Sequence, residues 1–177
     1  MAADAARVAR IVNEAVEEGS SSLDLGNCKL NIFPVALFKV MRNIKENIHY
    51  ISLANNEMKS VTSEFISNFK QLRELNLEGN SLKQLPDAVM SLMHLTAINL
   101  ARNKFSVFPE QLTEVKTLEN INLEENQIVE VPVEKIRSLP SLKILNLKSN
   151  PLSTEALAMC HSDSQHHILT VTDQKAQ

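Results

Sequence analysis

The sequence predicts an α/β solenoid, a right-handed curved coil with a concave parallel β-sheet of about six strands and short α or 3₁₀ helices on its convex side. The first observation behind this prediction is a motif, L-x-x-L-x-L-x-x-N-x-L, that recurs with Ile, Val or Phe replacing Leu at some positions. The second is its spacing, because the first apolar position and the asparagine each recur every 23 or 24 residues. The two series are Leu72, Leu95, Leu118 and Leu142, and Asn80, Asn103, Asn126 and Asn150.

Two further copies of the motif lie upstream of this series. Residues 48–58 match it in full, with Asn56 at the asparagine position. Residues 20–30 match it loosely, with Ser20 at the first apolar position and Cys28 at the asparagine position. Six repeats are therefore predicted over residues 20–152.

Each motif predicts one short strand that is stable only beside its neighbours. Side chains alternate along a strand, so Leu75 and Leu77 are expected to face inward while Asn76 faces out. Stacked repeats then share a continuous apolar core. The asparagine that ends each strand, such as Asn103, is expected to hydrogen-bond backbone groups that would otherwise be buried and unpaired. Cys28 is only a weak donor at that position, which predicts a looser first coil.

Three of the strands are followed by an apolar residue and a proline, at Pro86, Pro109 and Pro132. The resulting L-P-x-x-ϕ-x-x-L form resembles the intracellular, 23-residue class of the leucine-rich repeat family. Each proline is expected to begin a short helical turn. The resemblance implies a non-catalytic scaffold that binds other proteins. Thr62 stands in place of the proline in the second repeat, so a looser turn is expected there.

The segment before the repeats, residues 1–19, is predicted to be a capping helix. Residues 4–18 carry an apolar stripe at helical spacing, with Asp4 placed to be the N-cap and Gly19 placed to end the helix. A solenoid needs a terminal element with a polar outer face, so we expect this helix to cover the first coil. A helix that lies on a membrane surface or binds a partner would carry a similar stripe.

Two other segments depart from the repeat pattern. Residues 34–47 are predicted to form one long helix on the convex side, beginning at a proline. Residues 153–177 are predicted to form a C-terminal cap or a partly disordered tail. Within that tail, Ser153 is a candidate N-cap for one helical turn, and residues 167–172 have the β-branched content of a strand that could pair with the edge at Leu145.

Composition and charge exclude several classes of function. The chain has 177 residues and a net charge of −3, from 18 basic and 21 acidic side chains. Proteins that bind nucleic acids usually carry a basic stripe, so no nucleic-acid partner is expected. A helix that spans a membrane needs about 20 consecutive apolar residues, and the sequence has no such run, so no membrane association is expected.

The cysteine content favours an intracellular, cytoplasmic location rather than secretion. Cys28 and Cys160 are the two cysteines of the chain, whereas secreted members of the resembled family usually carry cysteine clusters at both ends. The N-terminus has no long apolar core of a secretory signal, and the chain has no N-x-S/T sequon. A small monomer in a reducing compartment is the expected form.

The sequence has little that supports catalysis, so the protein is predicted not to be an enzyme. Its three glycines form no phosphate-binding loop, and neither H-E-x-x-H nor G-x-S-x-G is present. A zinc site is conceivable from Cys160, His161, His166 and His167, but their spacing matches no zinc finger. No metal and no cofactor are therefore predicted.

The concave face is the better candidate for a functional site, with an unidentified protein as its partner. The expected binding residues are Tyr50, Glu74, Asn76, Glu78, Asn99, Arg102, Asn122, Glu124, Glu125 and Lys148. For the asparagines, the preferred interpretation is structural, because side-chain amides stacked along a parallel sheet can hydrogen-bond one another. An alternative function with the same fold is a regulatory or targeting subunit of an intracellular enzyme, in a phosphatase, ubiquitin ligase or small GTPase pathway.

Overall fold

The computed structural model describes residues 4–161 and, beyond them, the backbone of the short strand Leu169–Thr170. Within these residues one sheet contains seven parallel strands in chain order, each paired with the next. The strands are β1 Ser22–Asp24, β2 Tyr50–Ser52, β3 Glu74–Asn76, β4 Ala97–Asn99, β5 Asn120–Asn122, β6 Ile144–Asn146 and β7 Leu169–Thr170. The predicted solenoid is thus confirmed, with a seventh strand added to the six that the repeats supply.

Neighbouring strands pair without any shift in repeat position, so equivalent residues lie side by side. Leu75 of β3, for example, is the partner of Ile51 on one side and of Ile98 on the other. The inward residues of every repeat strand are buried, and Leu75 and Leu77 are at most 2% exposed. One continuous core therefore runs beneath the sheet, as the alternation predicted.

Short helices on the side opposite the sheet connect each strand to the next. The connecting α-helices are α2 Ala36–Val40, α3 Ser63–Asn68, α4 Val133–Arg137 and α5 Thr154–His161, and the 3₁₀ helices are Lys45–Asn47, Asp87–Ser91 and Glu110–Glu114. A longer helix, α1 Ala5–Glu18, precedes β1. Pro86, Pro109 and Pro132 each stand immediately before one of these helices, as predicted. The first N–H groups of a helix have no partner within it, and proline suits the start of a helix because it has no N–H.

The prediction of one long helix over residues 34–47 is wrong. The segment divides into α2 and the 3₁₀ helix Lys45–Asn47, because the N–H groups of Arg42 and Ile44 bond to carbonyls three residues back. Val40 and Asn43, which are weak helix formers, lie where the segment divides. Ile44 is buried, whereas Val40 is 45% exposed.

The prediction of a looser turn at Thr62 is also wrong. Thr62 lies at the N-cap of α3, and its side-chain oxygen accepts a hydrogen bond from the N–H of Phe65 at 3.1 Å. Threonine is a favourable N-cap because this bond satisfies a donor that the first helical turn leaves unpaired. Phe65 is thereby fixed in a cluster of aromatic rings with Phe33 and Phe69 beneath the first two repeats.

The N-terminal helix α1 packs against the first repeat. Val8, Val12 and Ala15 are buried, and Gly19 adopts the left-handed conformation that ends the helix, as predicted. Asp4 occupies the N-cap position, but its carboxylate makes no capping hydrogen bond, because its backbone is not in the extended conformation that capping requires. Its N–H donates instead to the carbonyl of Cys28 at 3.0 Å, which ties the start of α1 to the first repeat.

At the other end, the tail adds a helix and a strand. Ser153 caps α5, since its hydroxyl accepts the N–H of Ala156 at 3.0 Å, and the helix extends beyond the single turn that was predicted. The predicted pairing with β6 is confirmed for Leu169 and Thr170. The rest of the predicted strand, and the alternative of a disordered tail, lie outside the described residues.

The asparagine that ends each repeat strand joins two successive repeats. The amide nitrogen of Asn103 donates to the carbonyls of Leu77 in the previous repeat and Leu100 in its own, at 2.9 and 3.1 Å. Its side-chain oxygen accepts the N–H of Leu82 at 3.0 Å. Asn56, Asn80, Asn126 and Asn150 are buried in the same way. The predicted pairing of buried backbone groups by these asparagines is therefore confirmed.

Substitution of this asparagine is expected to destabilise the fold. Asn103→Ala should lower the free energy of unfolding by about 1–3 kcal/mol, because buried N–H and carbonyl groups would lose their partners. Chemical denaturation followed by circular dichroism measures the change. The matched control is Asn120→Ala, on the exposed end of β5, which is expected to change stability by less than about 0.5 kcal/mol. Equal stability of the two variants would contradict the proposed role of Asn103.

Candidate functional site

Two columns of side chains lie on the outward, concave face of the sheet. The unshifted register places the residues of each column on successive strands, about 4.8 Å apart. The first column is Ser22, Tyr50, Glu74, Ala97, Asn120 and Ile144, and the second is Asp24, Ser52, Asn76, Asn99, Asn122 and Asn146. A partner molecule that lies along the sheet would therefore contact several repeats at once.

The asparagines of the second column do not form the predicted hydrogen-bonded ladder. Each side-chain oxygen accepts the N–H of the residue two positions further along its own chain, as Asn99 does from Ala101 at 3.0 Å. Asn76, Asn122 and Asn146 repeat this arrangement at the same distance. This local hydrogen bond forms in place of a bond between strands, because the chain turns directly after the strand and brings that N–H next to the amide.

This arrangement fixes the orientation of each amide and leaves its NH₂ group available. In the described part of the chain, the amide nitrogens of Asn76, Asn99, Asn122 and Asn146 have no hydrogen-bond partner within the protein. Their side chains are half-buried, so these nitrogens are open to solvent or to a ligand. The concave face thus presents a row of oriented hydrogen-bond donors, one from each of four successive repeats.

A depression of about 260 Å³ lies on the concave face across β2 to β5. It brings together five of the predicted binding residues, which are Tyr50, Glu74, Asn76, Asn99 and Asn122. Ala97 and Asn120 also line it, although they are not among the predicted binding residues. Both residues lie in the first column next to Glu74, so the register of the sheet places them at the same site.

The other predicted binding residues lie outside this depression. Glu78, Arg102, Glu124, Glu125 and Lys148 follow the strands, and none of them lines it. Glu78 and Arg102 form a partly exposed ion pair at 3.4 Å, just beyond the C-terminal ends of β3 and β4. Exposed pairs of this kind contribute about 0–1 kcal/mol to stability.

Arg102 also bridges two repeats across a third. Its guanidinium donates to the side-chain oxygen of Asn55 at 3.1 Å, over the backbone of Gly79. Gly79 has φ +72°, and a Cβ atom at this position would collide with the Asn55 side chain. Glycine suits this position for two reasons: it adopts a positive φ without strain, and it has no Cβ to collide with Asn55. Arg102 therefore links the turns that follow three successive strands, and its side chain is partly exposed.

Glu74 is the carboxylate among the described residues that line the depression. It is exposed at the start of β3, and within the described residues its carboxylate forms no ion pair or hydrogen bond. Glu78 is held by Arg102, and Glu119 forms an ion pair with Lys143 at 2.6 Å. Glu74 is thus an uncompensated negative charge at the rim of the depression.

Among the residues that the structure describes, the cysteines and histidines form no comparable site. Burial raises the pKa of the Cys28 thiol, and the nearby Arg7 opposes this shift only in part. The thiol donates to the carbonyl of Gly26 and is enclosed in the core, so it is a packed side chain rather than a nucleophile. Among the described residues, no group of three His, Cys, Asp or Glu side chains could hold a metal ion. His166 and His167 lie outside the described residues.

The repeat motif, the buried asparagines and the unshifted parallel sheet define a leucine-rich repeat solenoid. The leucine-rich repeat family model matches residues 46–105, and the chain belongs to the leucine-rich repeat family. It is similar to leucine-rich repeat-containing protein 20 of mouse, with 63% identity over 150 residues that cover 85% of this chain and 82% of the relative. The human protein of the same name is 62% identical over the same shares.

Solved structures of bacterial leucine-rich repeat proteins have the same fold. A leucine-rich repeat protein of Leptospira interrogans aligns with a TM-score of 0.71 and 25% identity, over 84% of this chain and 42% of that one. An internalin of Listeria monocytogenes aligns with a TM-score of 0.66 and 19% identity, over 85% of this chain and 41% of the internalin. The chain therefore spans less than half of each of these longer proteins.

Members of this family generally mediate protein–protein interactions. In the part of the chain that the structure describes, no helix is both long enough and apolar enough to cross a bilayer.

Proposed function

We propose that the protein binds another protein through the concave face of its sheet, and that it acts as a non-catalytic interaction module or scaffold. The observation that carries this proposal is the depression across β2 to β5, which collects Tyr50, Glu74, Asn76, Asn99 and Asn122. Interfaces are built from rigid side chains on a fixed backbone, and the sheet supplies such a backbone. The described residues offer no catalytic constellation to which the same depression could belong.

The oriented amides strengthen the proposal, because a partner would meet donors that are already in place. Preorganised groups lose less conformational entropy on binding than mobile side chains do. Tyr50 adds an aromatic side chain at one end of the row, and tyrosine is among the residues that most often dominate binding energy at interfaces. We also propose that the protein is a monomer in the cytoplasm, because a chain with two cysteines is typical of a reducing compartment.

A double substitution in the depression tests this proposal. Tyr50→Ala combined with Asn120→Arg removes the aromatic contact and places a long side chain in the site. Both residues are at least partly exposed, and within the described residues neither side chain holds another element by a hydrogen bond. The melting temperature is therefore expected to stay within a few degrees. Partners captured from a cell lysate by the unaltered chain and identified by mass spectrometry should be lost with this variant.

The matched control carries Lys39→Glu and Arg42→Glu on the exposed convex side. It should capture the same proteins as the unaltered chain. Loss of those proteins with the control, and their retention by the variant of the depression, would place the binding surface on the convex side.

A further inference from the structure

The depression has a gap in the first column of the concave face that matches one long side chain. Ala97 stands between Glu74 on β3 and Asn120 on β5, and each of those strands pairs directly with β4. Two strand spacings separate Glu74 from Asn120 by roughly 10 Å, while the alanine between them contributes only a methyl group. The depression is therefore deeper over Ala97 than over Glu74 or Asn120.

The groups around this gap are those that accept hydrogen bonds from a cation. The carboxylate of Glu74 stands on one side, unpaired within the described residues, and the amide of Asn120 stands on the other. Tyr50 precedes Glu74 in the same column and also lines the depression. A guanidinium or ammonium group in the gap would gain a charge-assisted hydrogen bond from the carboxylate.

We propose that the gap over Ala97 is a recognition slot for one arginine or lysine side chain of an extended segment of the partner protein. This inference rests on the proposed binding function of the concave face and names the chemistry that the face selects. The amide nitrogens of Asn76, Asn99 and Asn122, which lie in the adjacent column, donate to carbonyl oxygens of the same segment.

Other side chains fit the slot less well. An acidic side chain would meet the negative charge of Glu74 at short range. An apolar side chain would remove Glu74 from water without giving it a partner, which is costly for a carboxylate. The net charge of the chain, −3, also favours the approach of a basic segment. The nearby Arg102 weakens this attraction little, because its guanidinium is already shared between Glu78 and Asn55.

Selection from a library of short random peptides on the intact protein tests the slot. The peptides enriched on the unaltered chain are expected to share one fixed arginine or lysine. Ala97→Leu fills the gap without a change of charge, and Glu74→Arg reverses the charge at its rim. Each variant should raise the dissociation constant of an enriched peptide by about tenfold or more, which is a loss of about 1.4 kcal/mol per tenfold. A repeated selection on Glu74→Arg should enrich peptides with Asp or Glu at the fixed position.

Two controls separate slot recognition from general charge attraction and from misfolding. Lys39→Glu changes the net charge on the convex side and should leave the dissociation constant unchanged. Melting temperatures of the two slot variants within a few degrees of the unaltered chain establish that they are folded. If a variant fails this criterion, Ala97→Val and Glu74→Gln provide smaller changes, with the same direction of effect expected.

The outcomes distinguish the slot from the broader function. Peptides that share no basic residue, or whose affinity survives both slot variants, overturn the slot. If those peptides are still lost with Tyr50→Ala and Asn120→Arg, binding on the concave face stands and only its proposed chemistry falls. If no peptide is enriched, or if only the convex control loses binding, the slot is overturned and the concave face loses its support as well.

Discussion

Removal of residues 1–18 is expected to cause aggregation or a loss of most of the stability of the fold. Helix α1 covers the first coil with Val8, Val12 and Ala15, and its removal would expose the apolar interior beneath Leu23 and Leu25. An uncapped solenoid end presents a contiguous apolar surface, which promotes association. The hydrogen bond from the N–H of Asp4 to the first repeat would be lost as well. Size-exclusion chromatography and thermal unfolding measure the two effects.

A point variant gives the same test without a deletion. Val12 is fully buried, so Val12→Asp places an unpaired carboxylate against the core and should destabilise the fold strongly. Glu14→Ala, on the exposed face of the same helix, is the matched control and should have little effect. A truncated chain that remains monomeric and melts at the same temperature would show that α1 is not a cap. The alternative of a partner-binding or membrane-surface helix would then gain weight.

Leu100→Ala is expected to cost about 2–5 kcal/mol of the free energy of unfolding, because it leaves a cavity between stacked repeats. Leu100 is fully buried directly after β4, and the carbonyl of the same residue accepts a hydrogen bond from Asn126 of the next repeat. Leu77→Ala, one repeat earlier and equally buried, should have a similar effect. Chemical denaturation of each variant gives the free energy directly.

The control for this pair is Met93→Ala. Met93 is 75% exposed on the side opposite the sheet, so its loss should change stability by less than about 0.5 kcal/mol. Losses below that value for both leucine variants would show that the assigned repeat register is wrong.

The repeats made the main architecture predictable from the sequence. An apolar position that returns every 23 or 24 residues requires equivalent residues to stack, so the register of the sheet follows from the spacing alone. The inward leucines and the role of Asn103 followed for the same reason, because each is required by every repeat. The sequence also indicated where α1 ends, since Gly19 can adopt the left-handed conformation with little strain.

Features that differ between repeats were harder to predict. A looser turn was predicted at Thr62 because other repeats have proline there. The Thr62 hydroxyl, however, accepts a capping hydrogen bond, which proline cannot do. Residues 34–47 have helical periodicity, but the N–H groups of Arg42 and Ile44 bond to carbonyls three residues back, and the helix does not continue. The asparagines of the concave column were expected to bond between strands. A backbone N–H two residues away in the same chain is a closer competitor than a neighbouring amide.

For the candidate site, the sequence indicated the concave face of the sheet but not the shape of its surface. Tyr50 and Glu74 were identified because their side chains carry distinctive chemistry. Ala97 was not, because its contribution is the absence of a side chain between two larger neighbours. The bridge from Arg102 to Asn55 was also missed, since it passes over Gly79 and joins residues 47 positions apart. Such features depend on three strands at once.

The most direct test of concave-face binding is an NMR titration of the side-chain amides with a partner captured by the unaltered chain. Asn76, Asn99 and Asn122 present NH₂ groups to the depression, and their resonances should shift when the partner binds. Asn103 and Asn126, whose amides are bonded inside the core, are internal controls and should shift far less. Unchanged resonances of the three concave asparagines, with shifts confined to backbone amides of the convex side, would contradict the proposed binding face.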